Sequence, residues 1–250
     1  MKRSYRIWTA PRTGHTLLAR LLTDTGVAGT PGEHLTLHDE SNLKEKYQVS
    51  NYPEMIRAIQ EACSGGTLIG GCKMDSHKDR HIILRDELLD LKGITTDDEE
   101  KDLWADLFPD VKDIFLLRRN KVRQAVSWWK AIQDNEWHIE AGKSRITDQS
   151  FYEDKYDFKA ILHLWKESML REANMQDYFT RFQIKPLTLV YEDYIQDLER
   201  TIAQIFEFLN IKDQFTFPEV RYKKTADDIS ELWVERFKND IQDGWDSIAY

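Results

Sequence analysis

Ile7-Trp8-Thr9-Ala10-Pro11-Arg12-Thr13-Gly14-His15-Thr16-Leu17-Leu18 is the stretch that decides the fold. An apolar run opening at Tyr5 stops at Ala10, a tight loop passes through Pro11 and Gly14, and helical periodicity sets in from Thr16. A strand, a glycine bend and a helix start in that order bind phosphate well. The first N–H groups of a helix have no intrahelical partner, and the macrodipole adds positive potential, so an anion can sit there without a buried countercharge. The backbone of Gly14, His15, Thr16 and Leu17 would face such an anion, and Arg12 with the hydroxyls of Thr13 and Thr16 would add donors. The same residues also fit an ordinary helix capped by Thr13 or Thr16. The loop is not a Walker A motif, since no lysine follows Gly14.

Three further apolar runs continue the pattern: Thr67 to Met74, Lys112 to Leu117 and Pro186 to Tyr191. Helical patterns follow at Thr16 to Thr25 (closed by Gly26), Pro53 to Cys63 (closed near Gly65), His77 to Leu89, Lys121 to Gln133, Phe158 to Phe182 and Asp193 to Leu209. Strand and helix alternate, which predicts an α/β fold with a central parallel sheet flanked by helices and a ligand beyond the carboxyl ends of the strands. The polar, poorly periodic segment from Ile139 to Tyr156 reads as a surface loop, of the kind that often serves as a lid.

At 250 residues the chain reads as one domain, residues 1–250. Its net charge of −9 argues against broad nucleic-acid binding while leaving room for a local anion pocket. No apolar run approaches the roughly 18 residues of a membrane span. The start, Met1-Lys2-Arg3-Ser4-Tyr5-Arg6, carries no secretory pattern, so a cytoplasmic protein is expected. Cys63 and Cys72 form neither a disulfide framework nor a metal-ligand pair and read as buried thiols.

A second polar element lies at the end of the third apolar run. Arg118 and Arg119 close it, and Ser127 follows on the next helix, eight residues after Arg119. At a rise of about 1.5 Å per residue, Ser127 stands a little over two turns into that helix, within reach of a long guanidinium. Together they would suit a dianionic phosphate; separately they are a solvated strand end and an incidental serine. Val122, Ala125, Val126 and Trp129 mark the helix's apolar stripe, leaving Trp128 and Trp137 to contact a small ligand.

Taken jointly, Pro11-Arg12-Thr13-Gly14-His15-Thr16-Leu17-Leu18 and Leu117-Arg118-Arg119 with Ser127 resemble the two nucleotide-binding elements of sulfotransferases that use 3′-phosphoadenosine 5′-phosphosulfate (PAPS). Thr25-Gly26-Val27-Ala28-Gly29-Thr30-Pro31-Gly32-Glu33 and Lys121 to Trp129 are similar to the bacterial trehalose 2-sulfotransferase family, as are Gly71-Cys72-Lys73-Met74, Tyr191-Glu192-Asp193 and Trp233-Val234-Glu235-Arg236-Phe237. The resemblance implies the sulfotransferase fold, a P-loop-like three-layer arrangement. It also implies metal-free, in-line transfer of a sulfuryl group from PAPS to a hydroxyl or amine of a small acceptor, with PAP as the product.

By that resemblance Arg12 and the first loop hold the 5′-phosphosulfate, while Arg119 and Ser127 hold the 3′-phosphate. Tyr191 lies on the adenine side, and Lys223 or Lys224 approaches the 3′-phosphate. Glu33 matches the family's catalytic carboxylate, with His34 and His77 as rival bases. Lys73 would stabilise the transferring oxygens. His15 departs from the small hydroxyl residue usual in the family. The acceptor is expected to be a sugar such as trehalose or a natural product, and a homodimer is left open. Two rival readings stand beside this one. One is a metal-dependent nucleotide kinase using Asp75 and Asp193, and the other a non-catalytic nucleotide-binding protein on the same scaffold.

Overall fold

Every residue of the first strand from Ser4 to Thr9 is buried, although side chains on a strand alternate between faces. Such a strand must be covered on both sides, and the topology explains how. The computed structural model describes residues 1–37, 39–93, 100–143, 147–222 and 225–243. In it β1 (Arg3–Thr9), β2 (Ile69–Asp75), β3 (Val111–Leu117) and β4 (Leu187–Val190) form a four-stranded sheet in the order β2-β1-β3-β4, parallel at every pairing. Register sets Ile7 against Lys73 and Thr9 against Asp75, so the carboxyl ends of β1 and β2 finish level.

The chain forms two compact units: Met1–Leu117 with Arg171–Glu219, and Arg118–Leu170 with Val220–Tyr250. The first holds the whole sheet, with α1 (His15–Asp24), α2 (Leu43–Tyr47), α3 (Tyr52–Ser64), α4 (Lys78–Lys92), α5 (Glu100–Leu107), α8 (Tyr191–Tyr194) and α9 (Leu198–Leu209). Its largest core cluster joins Trp8, Cys72, Met74 and Phe115 of the sheet to Met55 and Ile59 of α3, Leu88 of α4 and Phe179. On the alternate positions, Tyr5 and Ile7 are equally buried, and the Tyr5 hydroxyl donates to the Ala28 carbonyl at 2.8 Å.

One charged pair lies inside this core. Arg6 and Asp113 are direct register partners across β1 and β3. The guanidinium grips both carboxylate oxygens at 2.8 and 3.0 Å, and Trp8 Nε1 donates to the same carboxylate at 2.5 Å. Burial alone would depress the Arg6 pKa, but Asp113 outweighs it and the net shift is upward. A buried pair of this kind stays charged because its lone pairs and protons are met on the spot.

The second unit is helical. It contains α6 (Lys121–Asp134), a 3₁₀ turn at Gln149–Tyr152, the first part of α7 (Phe158–Arg181) and α10 (Asp228–Gln242). Ala125, Val126 and Trp128 of α6 pack with Tyr152, Ile161, Trp233 and Phe237. Lys130 is almost fully buried, its ammonium paired with both oxygens of Asp227 and lying 4.4 Å from the centre of the Tyr152 ring.

Several sequence expectations need correction. The helix expected over Asp193 to Leu209 is two, because the Asp197 side chain accepts from the Arg200 N–H at 2.9 Å and opens a fresh helix there. The expected surface loop from Ile139 to Tyr156 has anchors among its described residues. Ile139 and Tyr152 are buried, Tyr152 donates to Asp134 at 2.5 Å, and Glu140 pairs with Tyr222. Trp128, expected to face a ligand, belongs to the core, while Trp129 is only half-buried and donates to the Lys155 carbonyl. Of the stripe read off the sequence, Ala125 and Val126 are buried and Val122 and Trp129 pack partly buried against the same cluster, while Gln124, Trp128, Lys130 and Ala131 widen the buried face. Trp137 is exposed.

Candidate active site

The loop after β1 is shaped by two conformations that most side chains avoid. Arg12 has φ 67° and Gly14 φ 80°, both left-handed. A non-glycine residue held there stores backbone strain, a feature that concentrates at functional loops. Gly14 is irreplaceable on a second count, since a Cβ there would lie 2.1 Å from the Tyr194 hydroxyl and 2.8 Å from the Tyr191 ring. Those two tyrosines, on the short helix after β4, meet edge-on at 5.8 Å, and the buried Tyr194 hydroxyl donates to the Thr13 carbonyl at 2.9 Å. Tyr191 and Tyr194 thus both stand against the loop at Gly14.

Helix α1 begins at His15 with Gly14 as its N-cap and no side chain capping it, so neither Thr13 nor Thr16 is the cap. Thr13 is fully buried. Its hydroxyl donates to the Ala10 carbonyl at 2.9 Å and meets the Thr9 hydroxyl at 2.5 Å, which leaves its backbone as the part that can face a ligand. Thr16 differs: its hydroxyl oxygen is buried and has no hydrogen-bond partner among the described residues. A buried, unmatched hydroxyl at an uncapped helix start fits an anion better than it fits any apolar neighbour. Leu17 is half-buried in the same turn.

Beside this loop stands Lys73, buried near the carboxyl end of β2. Its ammonium lies 2.9 Å from Glu33 Oε1 and 3.4 Å from His15 Nδ1. The backbone places Glu33 there by strapping residues 30–33 along β2. Lys73 N–H donates to the Gly32 carbonyl at 2.8 Å, Gly32 pairs with Cys72 in parallel fashion, and Thr30 N–H donates to the Cys63 carbonyl. Glu33 retains 38% of its side-chain exposure, enough for a ligand to reach it. Thus Glu33, Lys73 and His15, three separate expectations from the sequence, meet at one point. His34, a rival base, is committed elsewhere: its Nε2 lies 2.7 Å from the Thr30 carbonyl, and burial pulls its pKa down.

In the second unit, Asn120 caps α6 by accepting from the Arg123 N–H at 3.0 Å, directly after Arg118 and Arg119. Arg118 is buried, Arg119 is exposed and Ser127 is half-buried. Lys121 donates to the Arg118 carbonyl, tying the strand end to the helix start. Lys223 and Lys224 lie outside the described residues.

Residues 4–240 match the family model of the Stf0 sulphotransferases. The chain belongs to that family. Trehalose 2-sulfotransferase from Mycolicibacterium smegmatis is 23% identical over 96% of this chain and 96% of its own length. The Mycobacterium tuberculosis trehalose 2-sulfotransferase is 23% identical over 48% of this chain and 43% of its own. Among solved structures, a sulfotransferase from Alicyclobacillus acidocaldarius (TM-score 0.47, 14% identity, 96% of this chain and 93% of that one) is similar. So is the sulfotransferase domain of the Synechococcus PCC 7002 olefin synthase (TM-score 0.45, 15% identity, 100% and 90%).

In this Stf0 sulfotransferase the two carboxylates of the kinase reading stand in different settings. Asp75 Oδ1 accepts from the His77 N–H at 2.9 Å and from Arg171 at 3.1 Å, an ion pair that sequence reasoning missed because nearly a hundred residues separate its partners. Asp193 is exposed on α8. Tyr194 was also missed, although its spacing of three from Tyr191 on a short helix was the available signal. Among the described residues no helix is long and apolar enough to cross a membrane.

Proposed function

We propose that this protein transfers a sulfuryl group from PAPS to a hydroxyl of a small acceptor, with residues 1–250 acting as one sulfotransferase domain. The observation that carries the reading is the Lys73–Glu33 contact of 2.9 Å beside His15: a carboxylate and a cation held where the anion-binding loop meets the end of β2. The donor fits the residues present, since the uncapped start of α1, the unmatched Thr16 hydroxyl and Arg12 offer donors to its 5′ end. Arg119 and Ser127 are assigned to the 3′-phosphate on the family resemblance, as are Tyr191 to the adenine side and Lys223 and Lys224 as reserve cations.

Bound PAPS supplies an activated sulfur carrying a good leaving group. The protein's own residues do the rest by positioning and electrostatics. Glu33 accepts the proton of the attacking hydroxyl as the new S–O bond forms. Lys73 neutralises charge on the oxygens around sulfur, and Arg12 with the α1 N–H groups takes the charge left on the departing 5′-phosphate as the old S–O bond breaks. Lys73 also fixes the Glu33 carboxylate in place. The sulfuryl group carries less charge than a γ-phosphoryl, so these cations and backbone donors suffice in this scheme without a metal.

The test is single-turnover transfer from labelled PAPS into a cell extract, with mass spectrometry of products heavier by one sulfuryl group. Arg12→Ala should abolish transfer, Ser127→Ala should chiefly weaken PAP binding, and Glu33→Gln should lower turnover on the order of 100-fold with little loss of donor affinity. Loss of donor affinity alone in Glu33→Gln would remove Glu33 as the base. Stabilisation of the fold by ATP-Mg²⁺ and not by PAP would refute the whole reading.

A further inference from the structure

A cavity of about 250 Å³ opens at the carboxyl end of β2, and Lys73 forms part of its wall. Leu35, Leu37, Leu43, Met74, Ile83 and Leu84 make its apolar surface. Leu35, Leu43 and Met74 are buried at its base, while Ile83 is 62% exposed, an apolar side chain that the fold leaves uncovered.

Three of the four polar side chains on the wall, those of Lys73, Asp75 and Glu87, are already engaged. Glu87 Oε1 accepts from the Leu43 N–H at 2.6 Å, Asp75 is held by Arg171 and the His77 N–H, and Lys73 is held by Glu33. Thr36 has its carbonyl taken by Lys46 at 2.5 Å and its N–H donated to the Glu33 carbonyl. The cavity therefore presents a largely apolar surface, and Lys73, which holds Glu33 at 2.9 Å, stands at its polar corner.

We propose that the acceptor is a compact apolar alcohol, its hydrocarbon part seated among Leu35, Leu43, Met74 and Ile83 and its hydroxyl at the Lys73–Glu33 corner, rather than a disaccharide or other polyol. The inference rests on the sulfuryl-transfer reading and names the substrate class for that site. The chemistry of the wall sets the substrate class. A disaccharide carries a hydroxyl on nearly every carbon, and each one that exchanges water for this wall without a partner costs on the order of tenfold in affinity. A hydrocarbon gains on the same transfer: each methylene buried is worth about 0.8 kcal/mol, a factor of about four. The transfer balances as before. The alcohol oxygen bonds to sulfur, the sulfur–oxygen bond to the 5′-phosphate breaks with its electron pair leaving on that phosphate, and the proton passes to Glu33.

The full-length protein should be given PAPS and a series of straight-chain primary alcohols from butanol to octanol, with benzyl alcohol and trehalose alongside, and product followed by mass spectrometry. The expected result is a kcat/KM that climbs about fourfold per methylene until the cavity is full, with trehalose giving little or no product. Octanol should bind the enzyme–PAP complex with a negative heat-capacity change in calorimetry, as burial of apolar surface requires. Ile83→Glu, at an exposed position that leaves folding undisturbed, should lower kcat/KM for octanol at least tenfold while PAP binding holds. Trehalose turning over better than every alcohol, a flat response to chain length, or an unchanged octanol rate in Ile83→Glu would each overturn the inference. PAP binding with no transfer to any alcohol overturns it while the donor assignment stands; failure to bind PAP at all sinks both.

Discussion

Replacing Gly14 with alanine tests whether the anion loop is braced as the structure indicates. The left-handed φ of 80° costs an L-residue roughly 1–2 kcal/mol by itself. The new Cβ would also sit 2.1 Å from the Tyr194 hydroxyl, so that hydroxyl must leave the Thr13 carbonyl. Tyr194 is buried, so its ring has little room to swing, and the carbonyl it abandons loses a partner worth about 1–3 kcal/mol. Together the variant should be destabilised by about 2–5 kcal/mol and should bind PAP poorly. Tyr194→Phe alone should cost about 1–2 kcal/mol, since it removes the hydrogen bond and nothing else. In the double variant the clashing oxygen is gone, so the two losses should fall short of their sum by at least about 1 kcal/mol. Urea denaturation gives the stabilities and calorimetry with PAP gives the binding. A Gly14→Ala protein within about 0.5 kcal/mol of the parent, or strictly additive losses in the double variant, would refute the bracing argument.

Two more expectations concern stability. Asp113→Asn should cost about 3–5 kcal/mol in urea denaturation, because it strands the buried Arg6 guanidinium between two strands of the sheet, and Arg6→Met added to it should recover part of the loss; a cost under about 1 kcal/mol would contradict the pairing. Burial tends to raise the Asp227 pKa, but hydrogen bonds from Lys130 and Ser230 outweigh it and the net shift is downward. Its folded form therefore gives up its proton more readily than the unfolded chain does, so its contribution is present above the ordinary carboxylate range and is lost as pH falls through the lowered folded value. Stability measured at pH 7 and pH 3 should accordingly drop less in Asp227→Asn than in the parent.

The sheet was legible because its strands are short apolar runs, and the observed ends fall within about two residues of those read from the sequence. Helices α1, α3, α6 and α7 were equally clear, since each shows the apolar period and several carry a glycine or asparagine stop. Three helices were not. The α2 helix is five residues long, too short to show a period, and the α5 and α10 segments are so rich in charge that their apolar positions do not stand out. Within the site, Arg12, Gly14, Glu33 and Lys73 were readable as types at the ends of elements. What the sequence withheld was pairing: that Lys73 would bind Glu33, that Arg171 would neutralise Asp75, and that Tyr194 would fill the space above Gly14. Each contact joins residues at least 40 positions apart, and no local pattern encodes it.

Those pairings also bear on the donor proposed above, a nucleotide carrying several phosphates, against a net charge of −9. Charges separated by more than about 8 Å are largely screened at physiological ionic strength, so the overall balance matters less than what stands within a few ångströms of the ligand. At the carboxyl end of β2 the fold pairs two acids with cations: Asp75 with Arg171 and Glu33 with Lys73. The uncapped start of α1 then contributes positive potential that no titration can remove. Glu33 keeps the greater exposure of the two, 38% against 24% for Asp75, and it is the carboxylate to which the proposed transfer passes its proton.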